Sequence, residues 1–268
     1  MTSERQSLTR EDLVHDLRRL GVEPGMTVLV HSSLSSLGWV EGGAETVIDA
    51  LLEAVGPEGT VLVPTLTGTE EDGPEHPPRF DPATSPCWTG TIPETFRRRE
   101  AAERSMHPTH SVAGIGNDTR TLIEGHAHVA TPCAADSPYG RLADRGGRIL
   151  LLGVTHESNT CLHMVEEQAH APYHMQPEPC PCYIKREDGT WEEVVTGLHL
   201  WRWDRNFPKI DPLLTAAGAQ KTGRVGQAES RLVDVGAMRD LLLPILGDDP
   251  LFLLSDEARA EYGSTAPV

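Results

Sequence analysis

His163 and Glu166 stand three residues apart in the run from Leu150 to Tyr173, where an apolar stretch ends at Gly153, a short polar turn follows and a helix opens. On a helix, positions 163, 166 and 167 share one side, because three or four residues nearly complete a turn. Glu166 or Glu167 could therefore orient the His163 imidazole and raise its basicity, as a general base requires. The same spacing describes an ordinary solvated helix face with i,i+3 polar pairs, and by pattern alone that plainer reading is the better one. Cys161 precedes His163 by two residues, about 200° around a helix, so the side chains point apart and Cys161 reads as a small core residue. A serine hydrolase is not indicated, since Gly-x-Ser-x-Gly does not occur.

Other segments carry weaker signals. Ser32-Ser33-Leu34-Ser35-Ser36-Leu37-Gly38 leaves a strand at His31 and precedes the pair Gly42-Gly43. Hydroxyls and free backbone N–H groups at a strand end suit a phosphate or a pantetheine chain, yet alone this reads as a polar loop. His107, His110 and Ser111 lead into a small-residue strand, and a turn with locally bonded histidines explains them equally well. His170, His174, Cys180 and Cys182 form His-x3-His-x5-Cys-x-Cys, which could hold zinc. The Cys-x-Cys spacing is tight and Pro181 stiffens it, so reduced, unliganded thiols are expected. Trp201 and Trp203 read as strand core, with a platform for a sugar ring as the alternative.

The elements that must position these residues alternate. Thr9 can cap a helix with Asp12 in the capping-box position and Leu13, Leu17 and Leu20 along one face, and Gly21 ends it. Strands at residues 27–30, 60–63, 111–115, 150–152 and 231–233 alternate with helices at 44–55, 93–103, 119–124, 159–169 and 237–246. Asp188-Gly189 joins a hairpin of residues 182–186 and 191–195. Residues 66–92 form a long Gly/Pro/Thr/acidic loop of the kind that is functional or disordered. Alternation means an α/β protein, a three-layer sandwich with a mixed central sheet flanked by helices. Without repeats or a clear linker, residues 1–268 read as a single domain with tails at about 1–9 and 257–268.

The chain has 268 residues and a net charge of −17. That balance disfavours nucleic acid and anionic membranes, and suits either plain solubility or a polycationic partner. No apolar run approaches the ~20 residues of a membrane span, and Met1–Gln6 holds no apolar signal core, so a soluble cytoplasmic protein is expected. Five cysteines, an odd number, do not form a disulfide framework.

Taken together, the segments are not independent. Leu29–Gly38, Val55–Pro64, Phe80–Pro86, Arg104–Ser111, Asp136–Leu142, Asn159-Thr160-Cys161-Leu162-His163 with Glu166, and Gly226-Gln227-Ala228 occur in order. On these segments the chain resembles the aminoglycoside 3-N-acetyltransferase (antibiotic N-acetyltransferase) family, from about residue 10 to about 255.

The resemblance implies direct transfer of an acetyl group from acetyl-coenzyme A, a co-substrate, to the 3-amino group of an aminoglycoside's 2-deoxystreptamine ring, conferring resistance. It implies His163 as general base with Glu166 beside it, and Asp204 as a further partner or substrate carboxylate. Ser32, Ser33, Leu34, Ser35, Ser36, Leu37 and Gly38, with His107, His110 and Ser111, would line the coenzyme site. Glu70, Asp72, Asp136 and Glu167 would face the polycationic drug, in a monomer or homodimer with no bound metal. Leu200–Phe207, with two tryptophans and two arginines, departs from the family pattern. Competing readings are acylation of another amine in antibiotic biosynthesis, a metal-dependent hydrolase using His107, His110 and His163, and a non-catalytic scavenger of polycations.

Overall fold

The computed structural model describes residues 7–265. The Thr9 side chain accepts from the Asp12 N–H and Asp12 answers to the Thr9 backbone, so α1 (Arg10–Leu20) opens on a full capping box and closes at Gly21. There follow β1 (Thr27–Ser32), a 3₁₀ turn at Ser35–Leu37, α2 (Ala44–Val55), β2 (Thr60–Pro64), β3 (Arg79–Phe80) and α3 (Thr91–Phe96). The middle of the chain holds β4 (Glu103–Arg104), β5 (Val112–Gly116), α4 (Thr119–Ile123), α5 (Pro138–Asp144), β6 (Arg148–Leu152) and α6 (Cys161–Gln168). It ends with β7 (Cys180–Lys185), β8 (Trp191–Thr196), α7 (Asp211–Ala216), β9 (Gln220–Val225), β10 (Ala228–Asp234), α8 (Val235–Asp248) and α9 (Asp256–Thr265).

Seven strands form one mixed sheet in the order β4-β5-β2-β1-β6-β10-β9. The central β2, β1 and β6 run parallel, and β5 and β10 flank them antiparallel. Side chains alternate across a strand, so each central strand serves two cores. Val28, Val30, Val61, Val63, Leu150 and Leu152 pack with Leu13, Leu17, Val47, Ile48 and Leu51 of α1 and α2. Leu29, Leu62, Ile149 and Leu151 pack on the opposite face with Leu142, Leu162, Val165, Met238 and Leu242 of α5, α6 and α8. These are the three layers expected.

The structure differs from the expectation in several places. A second sheet, β3-β7-β8, carries the Asp188-Gly189 hairpin and buries Phe80, Cys180, Cys182 and Ile184 against one another. Its strand pattern explains both thiols as core, and His170 stands exposed, so the four proposed zinc ligands do not converge. The helix expected over 93–103 stops at Phe96, where Arg97, bonded to Glu94, and Arg99, bonded to Glu45 and Asp49, turn the chain back onto α2. Within the stretches set apart as tails, Leu8 bridges Val40, and α9 spans Asp256–Thr265. No helix among the described residues is long and apolar enough to cross a membrane.

β1 and β6 are parallel neighbours whose following helices, α2 and α6, lie on opposite faces of the sheet. The loops leaving their carboxyl ends part there and open a crevice, the usual place for a ligand in such a sheet. Ser32–Gly43 forms one wall of that crevice and Gly153–Thr160 the other. Gly226 holds the first wall in place: at φ +57°, with a Cβ that would come within 2.7 Å of the Leu37 carbonyl oxygen, only glycine fits, and the Gln227 N–H donates to that oxygen.

Candidate active site

α6 starts at Cys161, after Asn159 folds its side-chain oxygen onto the Cys161 N–H. Its inner face buries Cys161, Leu162 and Val165, and burial pushes the Cys161 thiol up, so no thiolate nucleophile is offered here. His163 is half-buried on the crevice side. Its Nδ1 lies 2.7 Å from Glu166 Oε2, a distance that places the Nδ1 proton between them and leaves the Nε2 lone pair free.

Glu166 is fully buried. Burial pushes its carboxyl up, but the hydrogen bond from His163 and the charge of Arg205 more than offset this and hold it well below the usual carboxylate range. Arg205 donates from Nε to Glu166 Oε1 (3.3 Å) and from a terminal nitrogen to His174 Nδ1 (3.1 Å). It is anchored by the Trp203 and Leu200 carbonyls. Burial holds His174 neutral, pushed down to about 3. Glu166 is thus an ionised carboxylate fixed from behind, with His163 as its partner toward the crevice.

Glu167 is different. It is buried, accepts from Thr131 Oγ1 (2.5 Å) and the Cys133 N–H (2.9 Å), and lies 2.7 Å from His199 Nε2. Burial pushes its carboxyl up to about 8 and pushes His199 well down, so the two form an uncharged hydrogen-bonded pair. It does not face solvent as a drug-binding carboxylate would.

Two cavities border His163, and a third continues from the first of them at Ser32. One, of about 270 Å³, is lined by Val30, His31, Ser32, Leu66, Trp88, Thr89, Glu157, Asn159, Thr160, His163 and Trp201. A groove of about 700 Å³ continues from Ser32 along Ser33, Leu34, Ser35, Gly38, Trp39, Gly42, Gly43 and Gly90. A cleft of about 200 Å³ lies on the other side, lined by Glu157, His163, His199, Trp201, Asp204 and Arg205. Trp88 and Trp201 meet edge to face at 6.3 Å on the rim, and the Trp88 indole N–H donates to the Gly68 carbonyl. Trp201 is therefore exposed at the site, whereas Trp203 is core with Tyr173 and Leu254.

The structure brings together His163, Glu166, Asp204, Ser32, Ser33, Leu34, Ser35 and Gly38. Leu37 is instead fully buried in the core, and Ser36, bonded to Ser33, is outside the groove. His107, His110 and Ser111 are interior and line none of these three cavities. The His107 Nδ1 accepts from the Thr109 and His110 N–H groups, and Ser111 donates to the Thr65 carbonyl, so they staple the turn into β5. Asp136 is exposed just ahead of the Ser137 cap of α5, and Glu70 is exposed on the loop after β2; both are outside the three cavities. Asp72 turns back onto the Thr69 N–H. Sequence reasoning missed Arg205, His174 and His199 behind the base and Glu157 beside it. Glu157 alone had a local signal, since Thr155 caps the 3₁₀ turn that projects it.

Two groups of metal-ligating types come within 4.8 Å among the described residues: His163, His174, His199 and Cys133, Glu167, His199. The His163 and His174 rings are stacked at 5.1 Å and 18°, which aims their in-plane lone pairs side by side instead of at one point. A base held by a buried carboxylate, between a groove ending in hydroxyls and N–H groups and a cleft with two carboxylates, can deprotonate a cationic amine beside an acyl donor. This is the equipment of an acyltransferase in a three-layer α/β fold.

The chain belongs to the aminoglycoside 3-N-acetyltransferase family, whose pattern matches residues 29–246. Aminoglycoside N(3)-acetyltransferase IV of Salmonella is 35% identical over 247 residues, spanning 91% of this chain and 90% of that protein. The crystal structure of a histidine-to-alanine mutant of aminoglycoside acetyltransferase AAC(3)-IVa in complex with a gentamicin superposes with a TM-score of 0.79 at 32% identity, covering 97% of this chain and 96% of the other. The binary complex of AAC-IIIb with CoASH superposes with a TM-score of 0.80 at 27% identity, covering 91% and 97%.

Proposed function

We propose that this chain transfers the acetyl group of acetyl-coenzyme A directly to the 3-amino group of an aminoglycoside, and that antibiotic resistance is its task. The observation that carries the reading is His163, one imidazole that borders both the strand-end cavity and the cleft holding Glu157 and Asp204.

The coenzyme lies along Ser32–Ser35, Gly38 and Gly43, which line the groove; the CoASH complex of a relative supports coenzyme A as the co-substrate. α2 follows Gly43 with no side-chain cap, so its first N–H groups are free for a pyrophosphate, which the helix dipole also favours. The drug occupies the Asp204 cleft, where carboxylates hold its other ammonium groups; the gentamicin complex supports this class of acceptor. His163 Nε2 takes a proton from the attacking amine while Glu166 steadies the resulting imidazolium. The amine nitrogen bonds the thioester carbon, the C–S bond breaks, and the departing thiolate can recover the proton from His163. Asp204 makes no hydrogen bond to His163 and acts on the substrate side. We read the chain as one N-acetyltransferase domain acting in the cytoplasm, as a monomer or homodimer.

The test is purified protein with acetyl-coenzyme A and a panel of aminoglycosides, following free thiol and locating the new acetamide by NMR. Chelator-insensitive release with acetyl on the 3-nitrogen is expected. No release with any amine, or release abolished by chelator, overturns the reading.

A further inference from the structure

Among the described residues seven histidines are buried, and six of them have at least one ring nitrogen in a hydrogen bond. His31 is the exception. Its Nε2 is enclosed without a partner, and no hydrogen bond reaches the ring from any described residue. A buried polar group left unpaired costs about 1–3 kcal/mol. Packing does not require it, because the equivalent inward positions on this face of the central strands are Leu29, Leu62 and Leu151. The position does explain it: His31 is the last inward residue of β1, at the crevice, and its ring forms part of the wall of the cavity that also contains His163 and Asn159. Burial, with His156 and His163 as its titratable neighbours, pushes His31 down to about 3. It is a neutral imidazole, able to donate one N–H without adding a buried charge.

Resting on the acetyl-transfer reading, we infer that His31 is a catalytic residue whose ring N–H donates to the thioester carbonyl oxygen and stabilises the oxyanion formed as the amine attacks. When the nitrogen–carbon bond forms, the carbonyl π pair moves onto oxygen beside His31. When the C–S bond breaks, that pair returns and the thiolate leaves, so His31 itself gains and loses no proton. A donor already fixed where charge develops needs no reorganisation in the reaction.

The experiment compares His31→Leu, which keeps the volume, with His31→Gln, which restores an N–H donor. His31→Leu is expected to lower kcat by about 10²–10³ while the KM for acetyl-coenzyme A stays within about threefold, and His31→Gln to recover at least about tenfold of the loss. Normal kcat in His31→Leu, or equal losses in both variants, overturns the role while wild-type turnover leaves the transferase reading standing. If His31→Leu does not fold, the wild-type protein is labelled with ¹⁵N-histidine and titrated with coenzyme A and with acetonyl-coenzyme A, an unreactive ketone analogue. A downfield shift of the His31 ring proton confined to the ketone supports the inference; identical spectra overturn it.

Discussion

Replacing Glu166 by glutamine keeps the shape of the side chain and removes its charge, and the structure says what that does. The carboxylate serves His163 through one oxygen at 2.7 Å and Arg205 through the other at 3.3 Å. An amide has one acceptor oxygen. If it serves Arg205, its NH₂ faces His163 Nδ1 and donates, which moves the imidazole proton to Nε2 and removes the lone pair that deprotonates the amine. If it serves His163, its NH₂ faces the guanidinium and Arg205 loses its buried counter-charge. Either way kcat should fall by about 10²–10⁴, the range for loss of a positioned general base. Breaking the buried ion pair should cost roughly 3–5 kcal/mol, a fall in Tm of roughly 6–20 °C for a protein of this size. Thiol release measures the first and thermal unfolding the second, with calorimetric binding of coenzyme A as the control expected to stay near wild type. A Glu166→Gln protein turning over within threefold of wild type would refute the reasoning, because no other carboxylate hydrogen-bonds to His163 among the described residues.

His163→Ala should lower turnover by about 10²–10⁴ with coenzyme affinity nearly unchanged; a near-normal rate removes the base assignment. Glu157→Gln and Asp204→Asn should each raise the KM for the aminoglycoside several-fold, leave that for acetyl-coenzyme A alone, and weaken the salt dependence of drug KM, since their charges act on a polycation. Glu167 titrates higher in the folded protein, at about 8, than its ordinary 4.5, so the folded state binds the extra proton across that window and stability should fall as pH rises from about 4.5 to about 8. In Glu167→Gln that slope should flatten, measured as Tm against pH; an unchanged slope assigns the titration elsewhere.

What was legible in the sequence was whatever depends on neighbours along the chain. The Thr9–Asp12 box, the two-faced strands and the Asp188-Gly189 turn each draw on interactions within a few residues, and each stands where expected. β9 was not legible, because Gln220-Lys221-Thr222-Gly223-Arg224-Val225 lacks an apolar alternation and owes its conformation to pairing with β10 at the sheet edge. The site divides along the same line. His163 and Glu166 are an i,i+3 pair, visible as a possibility but indistinguishable from a solvated face until burial is known. What turns them into a base and its support is Arg205, 39 residues from Glu166, and His174, held by that same arginine. The segment Leu200–Phe207 supplies this arginine, the exposed Trp201 and Asp204. His107, His110 and Ser111 show the converse: their side chains suggest chemistry, yet their hydrogen bonds serve a turn. Residue type alone therefore overstates histidine as a functional marker here, and the discriminating quantity is whether the unheld ring nitrogen is enclosed, as in His107 and His110, or belongs to a ring that borders the crevice. By that criterion His163, with one nitrogen held and one free toward the crevice, is equipped for proton transfer.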